Sequence, residues 1–200
     1  MKKITVILLG LLVMSCSPKK EKLPFLGNPT VNGNETKYPK VSAFSFLDQN
    51  NTVVTNKTFD NKIYIADFIF LSCPTICPKM NVEMKKVYDV YKDNTEVSFL
   101  SHTIDPKNDT TEKLKEYAKA LKIDDSKWHF VNGNRDSIYS IATKSYFTTA
   151  YPDAKEPGGF VHGGGLLLVD KNRHIRGVYD GTDPKETKRL INDLQILLQE

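Results

Sequence analysis

Residues 63–70, I-Y-I-A-D-F-I-F, form an almost unbroken apolar run, and a pair of cysteines follows it in C-P-T-I-C. A short run of this kind reads as a strand buried on both faces, which demands cover above and below the sheet. Beyond the cysteines, Met80, Met84, Val87, Tyr88 and Tyr91 recur at three- and four-residue steps. That spacing predicts a helix with its apolar stripe on the sheet. Extrapolated backwards, the stripe takes in Cys77 and Cys73.

The rest of the chain follows the same grammar. V-S-F-L-S-H-T (97–103) reads as a second strand, and Asp109 or Thr110 caps a helix carrying Leu114, Tyr117 and Leu121, completing a β-α-β unit. A short strand around W-H-F-V and a helix opening near Asn134 come next. L-L-L-V-D-K-N-R-H-I-R-G-V-Y reads as a hairpin turning at Lys171 and Asn172. The last helix has Asp183 as N-cap, Pro184 at its first position and Glu186 at its third. Earlier, V-S-A-F-S-F-L and T-V-V flank D-Q-N-N, a hairpin that extends the sheet on one side. The expected fold is α/β and thioredoxin-like, a β-α-β half followed by a β-β-α half, with an extra N-terminal β-hairpin.

The N-terminus is of another kind. Lys2 and Lys3 precede an apolar stretch, residues 4–14, too short to span a bilayer, and V-M-S-C closes it. This resembles a bacterial lipoprotein cleavage signal with Cys16 as the acylated residue. The expected organisation is a signal peptide over 1–15, lipidated Cys16 with a flexible tether over 16–40, and one domain over 41–200. The protein is then exported and lipid-anchored to the bacterial cell membrane, with the domain facing the periplasm.

Removing the signal takes away Lys2 and Lys3, two of the four net positive charges. The remaining lysines alternate with acids, as in K-N-D-T-T-E-K-L-K-E, a solvated helix face that argues against nucleic acid as a partner.

With Cys16 assigned to lipid, the other two cysteines belong to each other. In an oxidising compartment they are a disulfide, a redox couple or a metal site. On a helix, residues four apart lie about one turn apart on one face, so both sulfurs can share an ion, and a helix N-terminus favours thiolate over thiol. Four histidines are candidate third ligands. His174 is expected solvated at a hairpin tip, and His129 is a strand residue. His102 stands at the C-terminal end of a core strand, the edge where open α/β sheets place ligands. His162, in F-V-H-G-G-G on the loop expected to pass over the cysteines, is the better candidate. Two thiolates and an imidazole suit copper by softness and leave an open position; zinc is also chemically allowed.

Several ordered motifs resemble the Sco/SenC family: F-x-L-x-D (44–48), S-C-P-T-I-C-P (72–78), T-I-D-P-K-N-D-T (103–110), W-H-F-V-N-G (128–133), V-H (161–162) and L-V-D-K-N-R-H-I-R-G-V-Y-D-G (168–181). The resemblance implies a copper-binding thioredoxin-like protein that helps assemble the copper centre of cytochrome c oxidase. Carried over, the ligands are Cys73, Cys77 and His162, holding Cu(I) or Cu(II). The implied partners are the oxidase copper-centre subunit and a thiol reductant or copper donor protein. The sequence departs from the family at Ser72, often histidine, at Thr75, frequently aspartate, and at Gly163, commonly serine. The leading reading is a metallochaperone without turnover. The alternative is a thiol-disulfide oxidoreductase using Cys73 and Cys77 as its redox pair, and a thiol peroxidase is weaker still.

Overall fold

The computed structural model describes residues 22–200. In chain order it contains β1 (Thr30–Asn32), β2 (Glu35–Lys37), β3 (Ser45–Asp48), β4 (Val53–Thr55), β5 (Ile63–Ile69), α1 (Cys77–Tyr91), β6 (Val97–Thr103) and α2 (Thr111–Leu121). There follow β7 (Trp128–Asn132), α3 (Arg135–Lys144), β8 (Ala150–Pro152), β9 (Phe160–His162), β10 (Gly165–Val169), β11 (Ile175–Asp180) and α4 (Pro184–Leu197). Seven strands form one sheet in the order β11-β10-β5-β6-β7-β3-β4. The parallel core β5-β6-β7 is flanked by antiparallel neighbours, and the β3–β4 hairpin forms one edge as expected.

All seven positions of β5 and all seven of β6 are buried, which explains the unbroken apolar run: there is no wet face to alternate with. Side-chain parity then sorts the two faces. On one face Phe99 meets Tyr88 of α1 and Trp128 of β7. On the other, Phe68 and His102 pack against Tyr146 just beyond α3. The helix α4 lies beside α1, tied to it by the Tyr91 hydroxyl donating to the Ile191 carbonyl at 2.9 Å and by Thr187 donating to buried Glu83 at 2.7 Å.

The helix caps follow the expected residues. Thr110, Asn134 and Asp183 each accept a backbone N–H from the first turn of α2, α3 and α4. α1 differs, because Ile76 at its N-cap supplies no side-chain acceptor and Pro78 sits in its first turn. The Cys77 N–H at its start is directed to the Cys73 sulfur.

Residues 22–40, part of the stretch read as a tether, lie along the domain. The buried Arg176 guanidinium donates to the carbonyls of Leu23 and Pro24, pairs with Asp170 and Glu200, and stacks on the Phe25 ring at 4.2 Å. Leu26 donates to the Ile175 carbonyl at 2.9 Å, and β1 pairs with β2 in a small exposed hairpin. These anchors use backbone carbonyls, so no side-chain period advertises them. His174 is likewise not solvated as expected: its Nδ1 lies 2.9 Å from the Pro39 carbonyl and its ring edges against Phe25. Cys16 and the signal lie outside the described residues, and among the described residues no helix is long and apolar enough to cross a membrane.

Candidate metal centre

β5 delivers the chain to the site, and a turn over residues 70–76 follows before α1 begins at Cys77. The Cys73 N–H donates to the Phe70 carbonyl at 3.2 Å, and the Leu71 N–H is received by the buried Asp109 carboxylate at 3.1 Å. The same carboxylate accepts from Thr103 at 2.5 Å. Asp109 therefore ties both the end of β6 and the T-I-D-P-K-N-D-T loop to the cysteine turn.

One sequence expectation is corrected here. Cys73 is not on the helix; it stands four residues before the first helical residue, and the one-turn spacing of two helical sulfurs does not apply. Pro74 and Pro78 explain why. Cys73, as the residue before Pro74, is pushed out of helical backbone, whereas Pro78 with its fixed φ is accommodated in the first turn of α1. Cys73 and Cys77 meet because the turn folds back over the helix end.

The two thiols differ sharply. Burial pushes the Cys73 thiol up, but hydrogen bonds from His162, from the Cys77 and Thr75 backbone and from the Thr75 hydroxyl outweigh it and bring it down from 9.0 to about 6. Cys77 is raised instead: burial dominates, one hydrogen bond from the Phe70 backbone offsets little, and the Cys73 sulfur and Asp67 carboxylate push the same way. The expectation that the helix end favours both thiolates holds only for Cys73. In effect the Cys73 sulfur collects N–H groups that the uncapped α1 leaves free.

His162 closes the cluster. It ends β9, which pairs with β8 in register Ala150↔His162, so a short ribbon and not a bare loop carries it over the cysteines. Its Nε2 lies 3.2 Å from the Cys77 sulfur and 3.8 Å from the Cys73 sulfur. Phe70 packs edge-on to the ring at 5.5 Å, while Nδ1 has no hydrogen-bond partner among the described residues. The ring is oriented by packing and by the sulfurs. Close approach depends on two glycines. A Cβ on Gly163 would sit 2.3 Å from Thr148 Oγ1, and Gly158, at φ +85°, would drive one within 2.7 Å of the Phe70 ring.

The donor atoms of Cys73, Cys77 and His162 all lie within 4.8 Å of one another, a spacing that one ion can bridge. Both cysteines are free thiols. The rival histidine is elsewhere: His102 is fully buried, stacked on Phe68 at 4.9 Å and edge-on to Phe44 and Phe46, with no hydrogen-bond partner for either nitrogen among the described residues. His129 pairs with Asp48 at 3.0 Å.

Sequence reasoning passed over Asp67. It is fully buried in β5 opposite Ser101, and neither carboxylate oxygen has a hydrogen-bond partner of normal geometry. Burial pushes its carboxyl from 3.8 up to about 7, with Ser101 offsetting part of this. An aspartate inside an otherwise apolar strand was the available signal.

A parallel-cored sheet whose first core strand leads through a cysteine turn into a helix, with a histidine carried over the pair, defines a thioredoxin-like protein with a sulfur-imidazole cluster. The chain belongs to the SCO1/SenC family, whose model matches residues 32–199. It is 28% identical over 181 residues to the SCO1 protein homolog of Bacillus subtilis (strain 168), covering 86% of this chain and 92% of that protein. It is 25% identical over 141 residues to a putative copper-binding protein of Stutzerimonas stutzeri, covering 68% of this chain and 67% of the relative.

Two solved structures share its fold. A SCO1/SenC family lipoprotein from Bacillus anthracis str. Ames superposes with a TM-score of 0.72 at 26% identity, covering 80% of this chain and 95% of that one. BsSco, described as a member of the Sco family of cytochrome c oxidase assembly proteins with a disulfide switch, gives 0.70 at 26% identity, covering 81% and 95%.

Proposed function

We propose that this chain carries copper: the thiolates of Cys73 and Cys77 and Nε2 of His162 hold one ion, which passes by ligand exchange to the copper-centre subunit of cytochrome c oxidase. The convergence of two sulfurs and one imidazole nitrogen within 4.8 Å carries the reading. The donor set fits the cargo. Soft thiolates select copper over harder cations, and three protein ligands leave a position for an incoming ligand. The family, a relative named as a copper-binding protein and another described as an oxidase assembly protein support it.

The asymmetric thiols give this scheme an order. Cys73 is available as thiolate near neutral pH, so it makes the first bond, while Cys77 releases its proton as the second bond forms. The reduced protein is expected to bind one Cu(I), and the disulfide form essentially none. Either Cys73→Ser or Cys77→Ser abolishes tight binding. Equal copper uptake by oxidised and reduced protein places the site elsewhere.

The same asymmetry favours a second reading, dithiol exchange, in which Cys73 attacks a partner's disulfide and Cys77 resolves the mixed disulfide. In that case the cysteines are required and His162 is only an electrostatic neighbour. We also place the protein on the periplasmic face of the cell membrane through lipidated Cys16, next to donor and acceptor. Cys16→Ala is expected to release it from membranes, and unchanged fractionation and maturation removes the anchor.

A further inference from the structure

Strand pairing fixes which end of the sheet holds Arg176. β11 is antiparallel to β10, with Ile175 opposite Val169, and β10 is antiparallel to β5, with Val169 opposite Tyr64. Arg176 is therefore level with the first residues of β5, whereas the cysteine turn follows the last ones. The seven residues of β5 put about 20 Å between the two levels.

The polar contacts that pin the N-terminal arm gather at the Arg176 end. The guanidinium, buried at 4% exposure, donates to the Leu23 and Pro24 carbonyls and stacks on Phe25. α4 starts beyond β11 at the cysteine end and runs back, so that Glu200 closes the clamp: its carboxylate accepts from the Leu23 N–H at 2.8 Å and from Arg176 at 2.7 Å. The arm returns to the same end, where the Val41 N–H donates to the Arg173 carbonyl at 2.9 Å. Six residues, 17–22, stand between Cys16 and Leu23. Fully stretched, that length lets Leu23 stand about 25 Å from Cys16, whereas an arm freed back to Val41 would reach about 85 Å.

We propose that this clamp, acting with the lipid on Cys16, stands the domain on the membrane with its Arg176 end down and its copper site facing away, towards a partner that carries its copper ligands on a domain projecting from the same membrane face. Turning the site to the lipid would lift Leu23 by the height of the domain, which takes essentially the full stretch of six residues. Ligands at the bilayer surface are therefore out of reach, and ligands standing roughly 20–50 Å above it are within it. The orientation rests on the acylation of Cys16 proposed above; the clamp does not.

The test uses the lipidated protein in vesicles of phosphatidylethanolamine and phosphatidylglycerol with a trace of dansyl-phosphatidylethanolamine. Trp128 is the sole tryptophan and opens β7 level with Phe99 and Ile65, towards the clamp end, so energy transfer from it to dansyl reads how near that end lies to lipid. Tyr151, 47% exposed on β8 beside His162, marks the copper end. Moving the reporter there, with Trp128→Phe and Tyr151→Trp, is expected to lower the transfer at least about threefold, because the two ends are separated by the length of the sheet. Releasing the clamp with Arg176→Met is expected to lower transfer from Trp128 about twofold as the reach of the arm grows, with one copper still bound per chain. Glu200→Ala with Phe25→Ser, at the C-terminal residue and a 40% exposed ring, gives the same direction should Arg176→Met fail to fold. A copper-end reporter that transfers as well as Trp128 overturns the orientation. Transfer from Trp128 that neither clamp variant lowers overturns the part played by Arg176 and Glu200. The mass of the membrane-extracted protein separates the two readings: a chain without a diacylglyceryl group on Cys16 removes the anchor and the orientation together, whereas a lipidated chain with equal reporters keeps the anchor and loses the orientation alone.

Discussion

His102 and His162 both lie towards the C-terminal ends of strands, yet they have opposite surroundings. His162 ends an irregular ribbon and puts Nε2 between two sulfurs. His102 is the penultimate residue of a core strand and puts its ring among Phe44, Phe46, Phe68 and Tyr146, where neither nitrogen has a hydrogen-bond partner among the described residues. Parity decides the difference. Ser101 and Thr103 point to the α1 side, where Ser101 accepts from Trp128 Nε1 and Thr103 reaches Asp109, so His102 between them must point to the other. A strand's carboxyl edge is where ligands bind, but only every second residue there can see them.

The sharpest way to break this comparison is to exchange the two losses. His162→Ala is expected to remove the thiolate-to-Cu(II) charge-transfer absorption and weaken Cu(II) binding by about 100-fold or more, Cu(I) suffering less because two thiolates suffice. His102→Ala is expected to leave the copper spectrum intact and cost about 3 kcal/mol of stability through the cavity in its aromatic surroundings. Titration with both copper states and urea unfolding read the two effects. Loss of the spectrum from His102→Ala alone would move the ligand assignment across the sheet.

The buried acid on the other face sharpens the contrast through pH. Asp67 is raised to about 7 in the folded state, so the folded protein holds a proton that the unfolded chain gives up near 3.8. Its contribution is fully present below 3.8 and lost as pH rises through 7. Asp67→Asn is therefore expected to gain roughly 2–4 kcal/mol over wild type at pH 8 and little at pH 4. His102 runs the other way. Burial pushes it from 6.5 down to about 3, so stability is full above 6.5 and lost as pH falls towards 3. His102→Leu should flatten that limb, worth about 2 kcal/mol at pH 5. Unfolding midpoints across pH 4–8 test both, and parallel slopes for both variants would refute the opposed assignment.

These cases also mark what a sequence can disclose. The runs of β5 and β6, the caps Thr110, Asn134 and Asp183 and the stripe of α4 are local patterns, and each element forms where its pattern lies. The association of Cys73, Cys77 and His162 is legible from residue type, the flanking glycines and family motifs, but the helical spacing expected of the sulfurs does not hold, because the helix begins only at Cys77 and Cys73 precedes Pro74 in the turn. What stayed hidden depends on distant atoms. The clamp of Arg176 on residues 23 and 24 is written in backbone carbonyls, and the opposed shifts of Cys73 and Cys77 follow from which sulfur is deeper and which meets free N–H groups. Neither has a period.

The smallest expected effect concerns Thr75, where the family frequently has aspartate. Its hydroxyl lies 3.6 Å from the Cys73 sulfur and lowers that thiol less than His162 and the backbone of Cys77 and Thr75 do. A hydroxyl can donate to a thiolate, whereas a carboxylate would repel it, so threonine here holds Cys73 in its reactive form. Thr75→Val removes one weak donor and leaves the backbone donors in place. The midpoint of Cys73 alkylation against pH should rise by about half a unit, the worth of one modest hydrogen bond. Thr75→Asp should raise it further, and His162→Ala further than Thr75→Val. If Thr75→Val moves the midpoint as far as His162→Ala, the ring is not the main stabiliser of the Cys73 thiolate, and the contrast between the two histidines would then rest on metal binding alone.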